Sequence, residues 1–600
     1  MKLKRTHMCG ELRAEHDGRT AALAGWVNTY RDQGKGLIFI DLRDRTGMTQ
    51  VVFDLEDVSE EVVAAARNLR REDVIAVRGA VRARLAGANP KLATGAIELA
   101  ATDLEVLNKT ENPPILPDEY EAQKIAEEKR LAYRYIDLRR PRMQEILWRR
   151  YQVTRVTRDY FAGQGFMEIE TPFLIKTTPE GARDFIVPSR QCPGQWYALP
   201  QSPQIFKQIL MVAGCDRYMQ IVRCFRDEDP RADRQAEFTQ VDVEMSFVDR
   251  DDVMNVISGY AQCLWREILG VEIGEIPVMS WREAMETYGI DRPDLRFGLE
   301  IEDVSDLAAK VEFNVFTEAL AKTNGVVKAM RIPGAGGAER ITRKMTDGYS
   351  EFVKGFKAGG APTVKLTAGG FETGIAKFLG PIADALKARL RLEPGDIVFF
   401  TADTWAVATK AMGELRNRIA RDLDLIDRSA WKFLWVVDFP MFEFDEAAGR
   451  WFALHHPFTA PMPDQFDTLE SNPGECTSAG YDLVCNGSEI AGGSIRIHNQ
   501  AVQRTVFTIL GITPEEAEVK FGFLLRALRY GAPPMGGIAF GVDRLCMLLC
   551  GTENIRDVIA FPKTQLGQDL MTEAPGPVDQ AQLEELHVRI ALPEEAAARA

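Results

Sequence analysis

Residues 222–247 read VRCFRDEDPRADRQAEFTQVDVEMSF, and nine of the fifteen residues from 223 to 237 are charged, with both signs mixed around a proline. The flanks, rich in Val, Ile, Phe and Met, predict strands near 218–226 and 238–248. One loop joins them, which makes an antiparallel hairpin and not a βαβ crossover. With a side-chain period of two, Thr239, Val241, Val243, Met245 and Phe247 share one face, and Phe238, Gln240, Asp242, Glu244 and Ser246 the other. On the first strand Arg226 lies at the loop end of the face carrying Gln220, Val222 and Cys224. One apolar and one polar face suit an active-site platform. An edge hairpin with its polar side in water has the same pattern.

Two other segments carry chemistry-bearing residues. In YDLVCNGSEIAGGSIRIH (481–498) the Asn486-Gly487 pair signals a two-residue hairpin turn. If Cys485 faces Ser488, Asp482 and Glu489 stand a strand-diagonal apart, roughly 7 Å at the backbone. Two carboxylates so placed can converge on a hard divalent cation such as magnesium bridging phosphates, or simply face water. Strict alternation puts Arg496 on the face opposite Glu489, so a bulge is expected at Gly492-Gly493 to bring it back. The third segment, PPMGGIAFGVDRLCMLLC (533–550), is a Gly-rich strand leading through Gly541 into an apolar helix with Arg544 in its first turn. A cation there opposes the helix dipole, which points to an anion as its partner, or to a surface arginine on a packing helix.

The bulk properties bound the class. At 600 residues with 46% hydrophobic and 27% charged residues, the chain predicts about three globular domains. A net charge of −15 argues against a generally basic nucleic-acid binder but not against local basic faces. The start has no apolar signal-peptide core, and no run of about 18 apolar residues predicts a membrane span. The nine cysteines form no CxxC pair, so no zinc site is predicted and a reducing cytoplasm is the default.

Along the chain, residues 1–107 read as five short strands with a helix-like SEEVVAAARNL after the third. That pattern fits a small closed barrel of the OB type, used for single-stranded nucleic acid or equally for packing or dimerisation. Residues 108–140, with the Pro-rich NPPILPDE, read as a linker or hinge. Mixed α/β sequence fills 141–296, a Gly- and Lys-rich insertion occupies 297–424, and strand-rich sequence returns over 425–600. No P-loop and no dinucleotide-binding glycine pattern occurs. The fold class is therefore α+β and multidomain.

Together GFMEIETP (165–172), FRDEDPRADRQAEFTQ (225–240) and GGIAFGVDRL (536–545) resemble the three motifs of class II aminoacyl-tRNA synthetases. The segments TTPEGARDF, LPQSPQIFKQILM, HHPFT and GSEIAGGSIRIH make the match closer, to bacterial-type aspartyl-tRNA synthetases. The likeness runs from GWVN near the start to QLEELHVRI near the end. It implies an N-terminal OB-fold anticodon-binding domain, a class II antiparallel-sheet catalytic domain in two parts, and an inserted α/β domain. The implied reaction is ATP-dependent activation of L-aspartate to aspartyl-adenylate and transfer to the 3′ end of tRNA(Asp), with magnesium accompanying ATP. A homodimer built around the first motif is also implied.

The resemblance assigns roles. Arg226 and Arg544 are the catalytic cations, on the α- and γ-phosphates. Glu180, Gln204, Lys207, Arg226, Asp242, His455 and Arg496 form the aspartate pocket, with Arg496 selecting the β-carboxylate. Arg226, Asp227, Glu228, Gln235, Glu489, Gly541, Val542, Asp543 and Arg544 line the ATP site, and Asp482 and Glu489 hold the metal. Arg31, Phe39 and Gln50 match positions that read an anticodon base, although Phe39 alone reads as a core aromatic in LIFI. The loop RDQGKG (31–36) is a residue longer than in some relatives and carries Gln33. It leaves open a non-discriminating enzyme that also charges tRNA(Asn). Two remoter alternatives are an amidating paralogue, which would lack the barrel, and a non-catalytic RNA-binding relative, which would have lost the phosphate arginines or metal acids.

Overall fold

The computed structural model describes residues 1–178, 181–229, 231–446 and 448–592. The chain packs as two compact units. Met1–Tyr151, Asp229–Asp233 and Thr552–Pro577 form one; Gln152–Glu228, Arg234–Gly551 and the chain from Val578 onward form the other.

In the first unit, strands β1 (Thr20–Asp32), β2 (Leu37–Asp44), β3 (Gly47–Asp54), β4 (Val74–Ala83) and β5 (Ile97–Asn108) close a barrel in the order β1-β2-β3-β5-β4. Helix α1 (Glu60–Arg67) lies between β3 and β4 in sequence, where the sequence reading expects it. Alternation sends Ile38, Ile40 and Leu42 inward with Val51 and Phe53. Phe39 therefore sits on the outer face, half-buried, which removes its core reading. Register pairs it with Arg31 on β1 and Val52 on β3, and pairs Asp41 with Gln50. Arg31, Phe39 and Gln50 thus share one outer patch. Beneath it the fully buried Glu98 accepts from Gln50 Nε2 at 2.9 Å and from Arg82 Nε at 3.0 Å, while Arg84 Nη2 reaches Gln50 Oε1 at 2.5 Å.

The second unit is built on an eight-stranded sheet. Its strands run Val278–Ser280, Phe433–Val437, Gly480–Cys485, Ser488–Ile495, Met535–Gly541, Glu237–Ser246, Arg217–Phe225 and Met167–Glu168. The six central strands are antiparallel, while the short edge strands Val278–Ser280 and Met167–Glu168 pair in parallel. The expected hairpin is present with a nine-pair register, but the second strand ends at Ser246. Phe247 leaves the apolar face assigned to it: it adopts φ 58° and is 76% exposed.

Between Ile301 and Thr404 a second, wholly antiparallel sheet of five strands carries a core on each face. Val327, Ala329, Val398 and Phe400 pack on one side, and Met330, Ile332, Ile397 and Phe399 on the other. The helix Trp405–Asp422 closes this region and carries a fully buried arginine. Arg416 donates to the carbonyls of Leu299 (2.9 Å), Asp294 (3.0 Å), Phe297 (3.1 Å) and Gly298 (2.9 Å). Its guanidinium also lies 4.1 Å from the Phe297 ring centroid and 4.8 Å from that of Tyr288. One side chain thus satisfies a run of buried carbonyls where the chain enters the insertion. Burial pushes its pKa down to about 10. Replacing it as Arg416→Met leaves those carbonyls unpaired and is expected to cost on the order of 3 kcal/mol, measured by thermal or urea unfolding.

Candidate active site

Cross-strand register lays the polar face of the eight-stranded sheet out in rows, because directly paired antiparallel residues share a face. One row reads Gln220, Asp242, Ala539, Gly492, Asp482. The next reads Tyr218, Glu244, Gly537, Ser494, Gly480. A shorter row, Val222, Gln240, Gly541, leads to the start of the helix Val542–Cys550. Large acids alternate with glycine and alanine, so the small residues leave the space that the carboxylates fill. A β-carbon on Gly537 would stand 1.9 Å from Glu244 Oε2.

Glu244 is fully buried and anchors a cluster of four charges. Arg496 approaches it through two donors, Nε to Oε1 at 3.0 Å and Nη2 to Oε2 at 3.1 Å. Lys207 Nζ lies 3.2 Å from Glu244 Oε2 and 2.8 Å from Asp242 Oδ1. Lys207 stands one turn from Gln204 on the helix Gln204–Val212, so both project from one face. Two cations face two anions, as buried charges require. Burial works against the charge on Arg496, but the Glu244 carboxylate outweighs it and raises the pKa. Burial likewise pushes Asp242 up, with Lys207 opposing, and its Oδ2 has no partner among the described residues. Arg496 Nη1 reaches Ser494 Oγ at 2.8 Å and His456 Nε2 at 3.1 Å. Desolvation pushes His456 well below its ordinary value, with Arg496 adding to the effect, and His455 shifts in the same direction although its side chain keeps solvent-exposed surface.

The bulge exists, but not at Gly492-Gly493. Val484 pairs with Glu489 and Leu483 with Ala491, so the extra residue is Ile490. The ladder to the strand Met535–Gly541 is regular from Ala491 to Ile495. The consequence is the expected one: after the bulge Gly492, Ser494 and Arg496 follow Glu489 on one face. The hydrophobic Ile490, 1% exposed, accounts for the position, since the extra residue turns its side chain into the core.

Asp482 and Glu489 converge. A β-carbon on Gly492 would meet Asp482 Oδ1 at 2.8 Å and Glu489 Oε1 at 3.4 Å. Burial pushes Asp482 well above the usual carboxylate range, and Glu489 and Asp291 add to this while Arg544 opposes it. An oxygen-only pair under mutual repulsion, around a gap left by a glycine, fits a hard divalent cation whose other ligands are phosphate and water. Arg544 donates from Nη1 to the Glu489 carbonyl at 2.9 Å. Its neighbour Asp543 is buried and accepts from Thr239 N at 3.0 Å, and the Val542 side chain is also buried. Gly541 caps that helix.

At the hairpin's loop end Arg226 N donates to Ala236 O at 2.8 Å, and its guanidinium lies 5.1 Å from the Phe238 ring centroid. Asp227 lies 3.7 Å from Arg183, Glu228 lies 3.3 Å from Arg234, and Gln235 is buried. Glu180 lies outside the described residues. Sequence reasoning had placed Glu244 on the right face without giving it a part, and had passed over His456, Ser494 and Asp291. Its own parity with Asp242 was the available signal for Glu244.

Comparison with known proteins agrees with this geometry. Residues 126–565 match the family of tRNA synthetases class II (D, K and N), and residues 21–107 match the OB-fold nucleic acid binding domain. The chain is 50% identical over 589 residues to an aspartate–tRNA(Asp/Asn) ligase of Geotalea uraniireducens, covering 98% of each chain. It is 51% identical over 591 residues to that of Moorella thermoacetica, covering 98% of this chain and 97% of the relative. Among solved structures it resembles asparaginyl-tRNA synthetase from Pyrococcus horikoshii complexed with asparaginyl-adenylate, with a TM-score of 0.59 at 19% identity, covering 94% of this chain and 98% of that one. The aspartyl-tRNA synthetase from Entamoeba histolytica gives 0.56 at 18%, covering 93% and 91%. With its barrel, its sheet and its paired acids in place, the chain belongs to the class II tRNA synthetases of the D, K and N group.

Proposed function

We propose that the protein is an aspartate–tRNA ligase that activates L-aspartate with ATP and esterifies the 3′ end of tRNA(Asp). The observation that carries this reading is the buried Lys207–Asp242–Glu244–Arg496 cluster on the same sheet face as the Asp482–Glu489 pair. The relatives named aspartate–tRNA(Asp/Asn) ligase support it, and their names favour a non-discriminating enzyme that also charges tRNA(Asn). Among the described residues no helix is long and apolar enough to cross a membrane. Work in the cytoplasm is part of the proposal.

In the first half-reaction an aspartate α-carboxylate oxygen attacks the α-phosphorus of ATP, and the bond to pyrophosphate breaks. The approach sets like charges together, so fixed cations must offset the repulsion. Arg226 takes the α-carboxylate and the α-phosphate, and Arg544 takes the γ-phosphate, guanidinium suiting both because its planar fork pairs with two oxygens. Asp227, Glu228, Gln235 and the main chain of Gly541–Arg544 contact the nucleotide. Magnesium, held by Asp482 and Glu489 when bound, neutralises phosphate charge. Arg496 and Lys207 select the side-chain carboxylate, while Asp242, Gln204, Glu180 and His455 complete the aspartate pocket. In the second half-reaction a ribose hydroxyl of the terminal adenosine attacks the aspartyl carbonyl and AMP leaves. No covalent enzyme intermediate is required.

The outer barrel patch of Arg31, Phe39 and Gln50 reads an anticodon base, with Phe39 supplying the stacking surface. A homodimer is part of the reading, supported by exposed apolar side chains in and after the first motif, among them Met167, Phe173, Phe185 and Ile186.

Three outcomes are expected. Aminoacylation with ATP, magnesium and purified transcripts charges tRNA(Asp) and tRNA(Asn); no product on tRNA(Asn) restricts the enzyme to tRNA(Asp). Arg496→Leu abolishes aspartate-dependent pyrophosphate exchange while ATP binding, followed by calorimetry, persists; near-normal exchange removes Arg496 from its role. Phe39→Ala raises the KM for tRNA about five- to 150-fold, from a stacking contribution of about 1–3 kcal/mol, and leaves pyrophosphate exchange untouched.

A further inference from the structure

The loop between the strands Arg217–Phe225 and Glu237–Ser246 is divided in its packing. Arg226, Glu228 and Gln235, at its two ends, belong to the unit of the eight-stranded sheet, whereas Asp229–Asp233 pack with the barrel unit. Within that unit Ala232 O accepts from Ile555 N at 3.0 Å. Ile555 is 3% exposed and opens a short 3-10 turn, Ile555–Asp557, so the group that meets the loop is a main-chain amide anchored by a buried side chain. Such a contact is placed only as well as the segment that presents it.

That segment is held by the chain that precedes the first motif. Asn554 caps the turn: its Oδ1 accepts from Arg556 N at 3.1 Å, and its Nδ2 donates to Glu127 Oε1 at 2.9 Å. Arg556, itself buried, donates from Nε to the same Glu127 oxygen at 2.9 Å. One carboxylate oxygen on the helix Glu127–Ala132 therefore ties the residues on both sides of Ile555. Burial works against the charge on Glu127, but the hydrogen bonds from Arg556 and Asn554 outweigh it and hold its pKa below the ordinary carboxylate value. Buried Arg134 fixes the far side of the turn, donating to Arg556 O (3.0 Å), Ile559 O (2.9 Å) and Ala560 O (2.9 Å) while its Nη1 meets Asp137 at 2.6 Å.

None of these residues touches the sheet face that carries the chemistry, yet the path ends on the tip of the loop that bears Glu228 and Gln235. We propose that Glu127 is a positioning residue for the ATP-binding loop: through Asn554 and Arg556 it sets the Ile555 amide that holds the loop at Ala232. The inference rests on the reading of that loop as a nucleotide contact. A ligand binds more weakly in proportion to the time its contact loop spends out of place, and Glu127 shifts that population. The effect is confined to ATP, because Lys207 and Arg496 are held by Asp242 and Glu244, and Arg226 N by Ala236 O.

The test is aspartate-dependent pyrophosphate exchange by the full chain as wild type, Glu127→Ala, Glu127→Gln and Asn554→Ala, with a thermal midpoint for each and ATP binding followed by calorimetry. Glu127→Ala and Asn554→Ala are expected to raise the KM for ATP about fivefold, the effect of roughly one net hydrogen bond, with the KM for aspartate within twofold. Glu127→Gln keeps the accepting oxygen and stays within twofold of wild type for both. A loss of stability alone would lower the midpoint without separating the two constants. With Glu228→Ala and Gln235→Ala already in place, adding Glu127→Ala changes the ATP Kd less than twofold, because the contacts it serves are gone. The proposal is overturned by a KM for ATP within twofold of wild type in whichever alanine variant folds, by an equal rise for aspartate, or by a full fivefold change in the Glu228→Ala, Gln235→Ala background. If that background binds ATP as wild type does, the nucleotide role of the loop falls instead, a distinct result.

Discussion

A carboxylate at the centre of a sheet has to be paired, and Glu244 is such a carboxylate. Left alone in that environment it would lose its hydration with nothing in return. Arg496 and Lys207 meet it instead, and each is fixed in direction by doing so. The neighbouring strand accommodates the arrangement with Gly537, since any side chain there would occupy the position of the carboxylate. The strand bearing Arg496 accommodates it with a bulge at Ile490, without which the guanidinium would point into the opposite, apolar layer. Residues distant in sequence, at 207, 244, 490, 496 and 537, are thus tied to one buried charge.

The same face separates two kinds of electrostatics. Around Glu244 the charges balance, giving a rigid polar cluster that can discriminate between a charged and a neutral ligand group. One row away, Asp482 and Glu489 repel one another across Gly492, a site that gains by taking up a cation. Acids play opposite parts in the two places: in one they orient cations, in the other they crowd each other. Small residues at 480, 492, 537 and 539 keep the floor between them low enough for a ligand to lie across it.

The elements built on short-range pattern were legible. Alternation gave the barrel strands with α1 after β3, the turn at Asn486-Gly487, and the polar and apolar faces of the 222–247 hairpin, because a period of two needs no partner to be read. Alternation also distinguishes Phe39 from its inward neighbours Ile38 and Ile40, although LIFI looks uniformly apolar. The site was legible as a set of residue types brought together by resemblance, while Glu244 passed unremarked beside Asp242. Phe247 departs from its strand because a left-handed residue ends the ladder there, a backbone choice that alternation does not encode. The 222–247 loop, dense with opposed charge, proves to be partly paired, with Asp227 near Arg183 and Glu228 near Arg234.

By itself the sequence determined which residues share a strand face, and that a five-stranded barrel and a polar-faced antiparallel hairpin would form. Those properties follow from local periodicity and side-chain chemistry. Only the tertiary structure decided which acid pairs with which cation, that the extra residue is Ile490 and not the glycine pair, and that Asp543 holds a main-chain amide. Each of those depends on register between strands far apart in the chain, where a shift of one residue exchanges the two faces, and no local pattern fixes that register.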